Sequence, residues 1–211
     1  MPVSRSLRRL PAVLVAFGLA VAAPAAAQHS GSGHHGAHAD APGGIETFEV
    51  SGLRVDEAAP PPGSGVGRAG LRFPDGGYVS VVYGKPYARG RVVFGGVVAY
   101  DAVWSAGAHR STELVTTVPL AIGRATLAPG AYSLLATPGR AAWTLHLNAR
   151  LGMHLADEYD PAQDVLQLTV PVEALAEPVE ALTYTFTQDG GLGLRLAWGD
   201  VAVTLPFARA E

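Results

Sequence analysis

From about Leu71 onward hydrophobic residues recur at every second position, and that period admits half-buried β-strands and little else. Trp143, Leu145 and Leu147 point one way, while Thr144, His146 and Asn148 point the other. In the last quarter Leu182, Tyr184 and Phe186 alternate with threonines. Two further runs follow, Leu192 to Trp198 and Val201 to Phe207. Asp189-Gly190-Gly191 and Gly199-Asp200 lie between these runs and have turn chemistry, so the three are expected to form an antiparallel meander.

Earlier punctuation agrees. Gly123-Arg124 separates Leu120-Ala121-Ile122 from Ala125-Thr126-Leu127, and Pro129-Gly130 precedes Tyr132 to Leu135. Further strands are expected at Tyr78 to Tyr83, Arg91 to Phe94 and Thr112 to Thr117. No stretch holds a helical apolar stripe for three turns; Val172 to Ala176 offers a single turn before Pro178. The fold class that follows is all-β, an antiparallel two-sheet sandwich or jelly roll, as one domain over residues 71–208.

Upstream of that domain the chemistry changes. Arg5, Arg8 and Arg9 precede an apolar run from Leu10 to Ala23 that closes with Pro24-Ala25-Ala26-Ala27, the layout of a signal peptide over residues 1–27. A membrane anchor is the alternative for this stretch, and its prolines and terminal alanines argue against one. Cleavage after Ala27 would export the protein to the periplasm or beyond the cell, with no transmembrane segment left behind. Residues 28–70 are rich in histidine, glycine, serine and proline and read as a flexible tail and linker, with a short accessory strand at Ile45 to Val50.

Composition narrows the function classes. The chain has no cysteine, which excludes disulfide staples, thiolate zinc sites, a cysteine nucleophile and a lipidated N-terminal cysteine. Three of the 15 basic residues leave with the signal peptide, so 18 acidic residues dominate the mature chain and nucleic acid is not an expected partner.

Tyr83-Gly84-Lys85-Pro86, Arg89-Gly90-Arg91, Phe94-Gly95-Gly96, Val103-Trp104-Ser105-Ala106-Gly107-Ala108, Pro129-Gly130-Ala131-Tyr132-Ser133-Leu134, Trp143-Thr144, Asn148 and Tyr159-Asp160 occur in a characteristic order. In that order the chain resembles the bacterial domain of unknown function family 2911 over about Leu71 to Phe207. The resemblance implies an exported envelope protein and brings no activity with it. Where the family pattern carries an Asn-Glu pair after Gly-Ala, this chain has His109-Arg110, and a guanidinium cannot perform carboxylate chemistry. A tryptophan usual after the Asn148 region is replaced around Met153-His154.

Tyr100 to Glu113 is densest in side chains able to meet a ligand, and glycines and alanines between them predict an irregular loop. Trp104, His109 and Arg110 are the site residues expected there, with Tyr87 and Arg91 as neighbours from the cluster around Pro86. The competing structural role for Trp104 is to cap the core, and for the arginines to pair with surface acids. No Gly-x-Ser-x-Gly nucleophile motif is present, and the cluster Asp157, Glu158, Asp160 and Asp164 reads as an acidic loop.

No cofactor is expected to be required. His29, His34, His35 and His38 in the tail could gather copper, nickel or zinc weakly and reversibly. Within the domain, His146 and His154 with Asp157 or Glu158 match no familiar ligand spacing. Three functional classes follow: a noncatalytic β-sandwich binding a small molecule, a glycan or an envelope protein; a secreted hydrolase with a site around residues 100–113; and metal buffering by the tail.

Overall fold

Among the described residues eleven strands, all antiparallel, make up two sheets. The computed structural model describes residues 46–51 and 63–211, so the signal peptide at 1–27 and the four tail histidines lie outside the described residues. The larger sheet contains β1 (Glu46–Ser51), β2 (Gly65–Arg72), β3 (Tyr78–Lys85), β4 (Thr112–Thr116), β7 (Gly130–Pro138), β8 (Ala142–Asn148) and β9 (Asp164–Pro171), hydrogen-bonded in that order. The smaller runs β10 (Glu173–Thr187), β11 (Leu192–Arg209), β5 (Leu120–Ile122) and β6 (Ala125–Leu127). Among the described residues no helix is long and apolar enough to cross a membrane.

Alternation places the core between the sheets. Leu134 and Ala136 on β7, and Trp143, Leu145 and Leu147 on β8, face Leu182, Tyr184, Leu194, Leu196 and Trp198 of the smaller sheet. Trp143 and Trp198 are each 1% exposed. Phe94 is wedged among the indoles, with ring centroids 4.6 Å from Trp143, 5.9 Å from Trp104 and 6.1 Å from Trp198. Edge-on contacts of this kind let the positive rim of one ring meet the negative face of another.

The structure departs from the sequence expectations in several places. The sheet starts well before residue 71: β1 realises the accessory strand expected at 45–50, and β2 begins at Gly65, inside the expected linker. The meander is a two-strand hairpin, because the runs 192–198 and 201–207 are one strand, β11. Gly199, at φ +59°, pairs with Val179 where the register shifts, so the extra residue is a β-bulge. The sequence carries its mark, since the apolar positions change from even to odd numbers across Gly199. Val172 to Ala176, read as a helical turn, instead leads into extended β10. Arg91 to Phe94 forms tight turns rather than a strand, because Gly90 and Gly95 adopt positive φ and Val97 and Val98 donate back to Val92 and Val93. Strand β9 lies outside those expected.

Candidate functional site

The connection from β3 to β4, residues 86–111, is the largest irregular stretch of the sandwich. Five non-glycine residues among those described adopt left-handed backbone, and four of them, Arg89, Asp101, Ala106 and His109, lie here; the fifth is Leu155. Such conformations cost energy and persist only where the surroundings hold them. Here the hold is tight. A methyl group at Gly84 would overlap the carbonyl of Ala108, Tyr184 and Thr112 donate to the Ala106 carbonyl at 2.8 and 2.9 Å, and the Trp104 indole donates to the Gly107 carbonyl at 3.0 Å. Burial pushes the Tyr184 phenol well above its usual range, so it stays a donor.

The five expected site residues do not share one surface. Trp104 turns its ring into the core, stacked on Trp198 at 6.0 Å, and its backbone bridges to Ala136 of β7. His109 and Arg110 are exposed. Arg110 bridges to His154 and donates to the Gly152 carbonyl at 3.1 Å, while Leu155 donates to the His109 carbonyl at 3.2 Å. Tyr87 bridges to Ala181 on β10, and Arg91 binds back to the carbonyls of Ala88 and Tyr87 at 2.9 and 2.8 Å. His109 and Arg110 therefore belong with 150–159, and Tyr87 and Arg91 with β10.

A second constellation lies on the outer face of the larger sheet. His146 on β8 places Nδ1 3.0 Å from Asp164 of β9 and Nε2 2.9 Å from the Thr137 hydroxyl of β7. Tyr159 donates to Asp164 at 2.6 Å and Gln167 at 2.8 Å, both to Oδ2; Asn148 donates to Oδ1 at 2.8 Å. The side chains of His146 and Asp164 are only 8% and 4% exposed. Burial works to raise the Asp164 carboxyl, and the bonds from Tyr159, Asn148, Gln167 and His146 more than offset it, holding the group below the usual carboxylate range. Tyr159 is shifted upward by burial and by its bond to Asp164, so it remains protonated. Among the described residues no buried side-chain nitrogen or oxygen lacks a partner.

Segment 149–163 closes over this face. Asn148 donates to the Asp160 carbonyl at 2.9 Å, Ala149 to that of Gln163 at 2.9 Å and Ser111 to that of Met153 at 2.9 Å, and Met153 is fully buried. The four loop carboxylates are all engaged: Asp157 with His154 at 3.3 Å, Glu158 with Arg150, Asp160 with the Ala162 amide at 2.9 Å, and Asp164 as above. Among the described residues no three His, Asp or Glu side chains converge as metal ligands: of the set considered, His154 meets Asp157 whereas His146 turns to Asp164.

Between the sheets, a crevice of about 10 Å³ against Ala106, Leu134, Leu145 and Tyr184 holds one water at most. A shallow open depression borders the β10–β11 turn at Thr187, Asp189, Thr204 and Pro206.

These features define a class: a two-sheet antiparallel sandwich with an aromatic interior and a long irregular connection that turns at Gly90 and Gly95 and packs against Gly84. The chain belongs to the family described as Protein of unknown function (DUF2911), whose model matches residues 71–207. No curated protein and no solved structure matches it. His109 and Arg110 are exposed as expected of loop residues, whereas the union of His146 with Asp164 and Thr137 has no counterpart among the sequence expectations. The one sequence signal for that union is that Thr137 and His146 fall on the polar face of adjacent alternating strands.

Proposed function

We propose that the protein is an exported envelope binding module whose ligand face is built by loops 105–111 and 150–159. The supporting observation is the way these loops are coupled. His109 and Leu155 both sit in left-handed backbone, joined by a hydrogen bond, and Arg110 bridges to His154 beside them. The exposed result is the Arg110 guanidinium and the His109 imidazole, next to the His154–Asp157 and Arg150–Glu158 pairs and flanked by Leu151 and Leu155, at 45% and 38% exposure. A patch mixing charged pairs, an imidazole and a guanidinium with apolar groups suits a small molecule, a glycan or an envelope protein carrying hydrogen-bonding groups beside an apolar surface. The satisfied network around Asp164 and the narrow intersheet crevice favour binding over hydrolysis as the main role of the sandwich. The test is a thermal-shift and glycan-array screen on the mature chain. Any hit should be lost in His109→Ala and Arg110→Ala at unchanged melting temperature, and full retention in both removes this face.

Export rests on the basic, apolar and small-residue order of residues 1–27, with Gln28 as the mature N-terminus. Mass spectrometry of exported protein reads that terminus directly. For the tail we propose reversible copper, nickel or zinc binding through His29, His34, His35 and His38, weakening as pH falls through the histidine range because the neutral imidazole is the ligand. Calorimetry should lose this binding when residues 28–38 are deleted; undiminished binding places the ligands elsewhere.

A further inference from the structure

We propose that Thr137 is an acyl-acceptor site: its hydroxyl, activated by the His146 that Asp164 orients, takes an acyl group from an activated ester and holds it stoichiometrically. The chain Thr137–His146–Asp164 has the contacts that nucleophilic activation requires, a hydroxyl on one imidazole nitrogen at 2.9 Å and a carboxylate on the other at 3.0 Å. The proton positions follow from the partners. Asp164 is ionised and can only accept, so the hydrogen of a neutral His146 ring sits on Nδ1. Tyr159 approaches the same Nδ1 at 3.1 Å, yet its own proton is committed to Asp164. Nε2 is left as the bare nitrogen, and the Thr137 hydroxyl donates to it.

Burial makes the arrangement directional. The His146 and Asp164 side chains are enclosed, whereas Thr137, near the end of β7, is half-buried. Asn148, Gln167 and Tyr159 fix the carboxylate, and this pre-positions the base without any movement. Thr137 is paired with Thr144 in the β7–β8 ladder, which commits its backbone and leaves the site without a ready cradle for an oxyanion. The expected chemistry is a single transfer rather than turnover, compatible with the binding role proposed above and linked to its loops only through Tyr159. In that step Thr137 Oγ1 forms a bond to the acyl carbon and the bond to the leaving alkoxide breaks. The hydroxyl proton passes to His146 Nε2 and on to the departing oxygen, with no change of oxidation state.

The test is incubation of the mature chain with para-nitrophenyl acetate, followed by intact mass and peptide mapping. Stable competing acetylation is confined to Lys85, the only lysine, the N-terminal amine and tyrosine hydroxyls, since the chain has no cysteine and acetyl groups on histidine hydrolyse. One acetyl group on the Thr137 peptide is expected. It should disappear in Thr137→Val, slow about a hundredfold in His146→Gln, and form faster in Thr137→Ser, whose primary hydroxyl is less hindered. No acetyl on the Thr137 peptide, whether it appears elsewhere or nowhere, or an undiminished rate in a folded His146→Gln protein, overturns the assignment. If near-UV circular dichroism shows Thr137→Val or His146→Gln unfolded, Thr137→Ser decides: acetylation of that peptide faster in Thr137→Ser than in the wild type supports the site, and no gain overturns it.

Discussion

The two faces of the larger sheet solve opposite problems. Its inner face buries Trp143, Leu145, Leu147, Leu134 and Ala136 against a second sheet, and shape and area do the work. Its outer face buries Ser111, Ser133, His146 and Asn148 under a fifteen-residue loop, with Leu135 and Met153 as its apolar share. Polar groups can be enclosed there only because each finds a partner: Ser111 and Ser133 share a hydrogen bond at 2.9 Å, Ser133 donates to the Arg150 carbonyl at 2.7 Å, and Asp164 collects the rest. One face tolerates imprecision in direction but not in volume. The other tolerates neither a lost partner nor a lost charge.

The largest effect expected from breaking this contrast is on the inner face. Trp143→Ala removes a side chain 1% exposed that touches both Phe94 and Trp104, and should cost about 3–5 kcal/mol, read from chemical denaturation. A cost under about 1 kcal/mol would show the interior collapsing around the gap.

Next comes the outer face. Asp164→Asn keeps volume but replaces an acceptor-only group by one that must donate, leaving Tyr159, Gln167 or His146 facing an amide; about 1–3 kcal/mol is expected at neutral pH. The pH dependence separates this from a packing defect. Because the folded-state value of Asp164 is depressed, its contribution is present above the unfolded carboxylate value of about 4 and is lost as pH falls toward the folded value. The gap between wild type and Asp164→Asn should therefore narrow below about pH 4, whereas that of Trp143→Ala carries no titration of its own. A constant gap for Asp164→Asn would assign its role to shape.

The contrast also explains what is legible in the sequence. An inner face announces itself through period, so β3, β4, β5, β6, β7 and β8 all emerge near their observed positions. Even the bulge at Gly199 is written in the phase change from Trp198 to Val201, although glycine next to aspartate reads first as a turn. The outer network is different in kind. Asp164 is eighteen residues from His146 and joins it only across the β8–β9 ladder, where the register slips between Leu147 and Asn148. Lying at the end of an acidic stretch, it looks like one more loop carboxylate. Trp104 is ambiguous for a similar reason, since an aromatic residue among glycines and alanines serves a ligand or a core equally well until its neighbours are known.

The smallest effect, and the one that bears most on binding, concerns His109. Its φ of +67° is strained for any residue with a side chain, and glycine would occupy it at less steric cost while giving up chain stiffness in the unfolded state. These terms oppose each other at about 1 kcal/mol each, so His109→Gly should leave stability within about 0.5 kcal/mol of wild type. The imidazole itself is exposed and adds little packing to lose. A stability drop above about 1 kcal/mol would show the ring acting as a structural prop for the 150–159 loop. If stability holds and the ligand response from the screen vanishes, the imidazole sits in that turn for recognition. The outer surface then divides into a face that is polar in order to be closed, under Tyr159 and Met153, and one that is polar in order to be met, at His109 and Arg110.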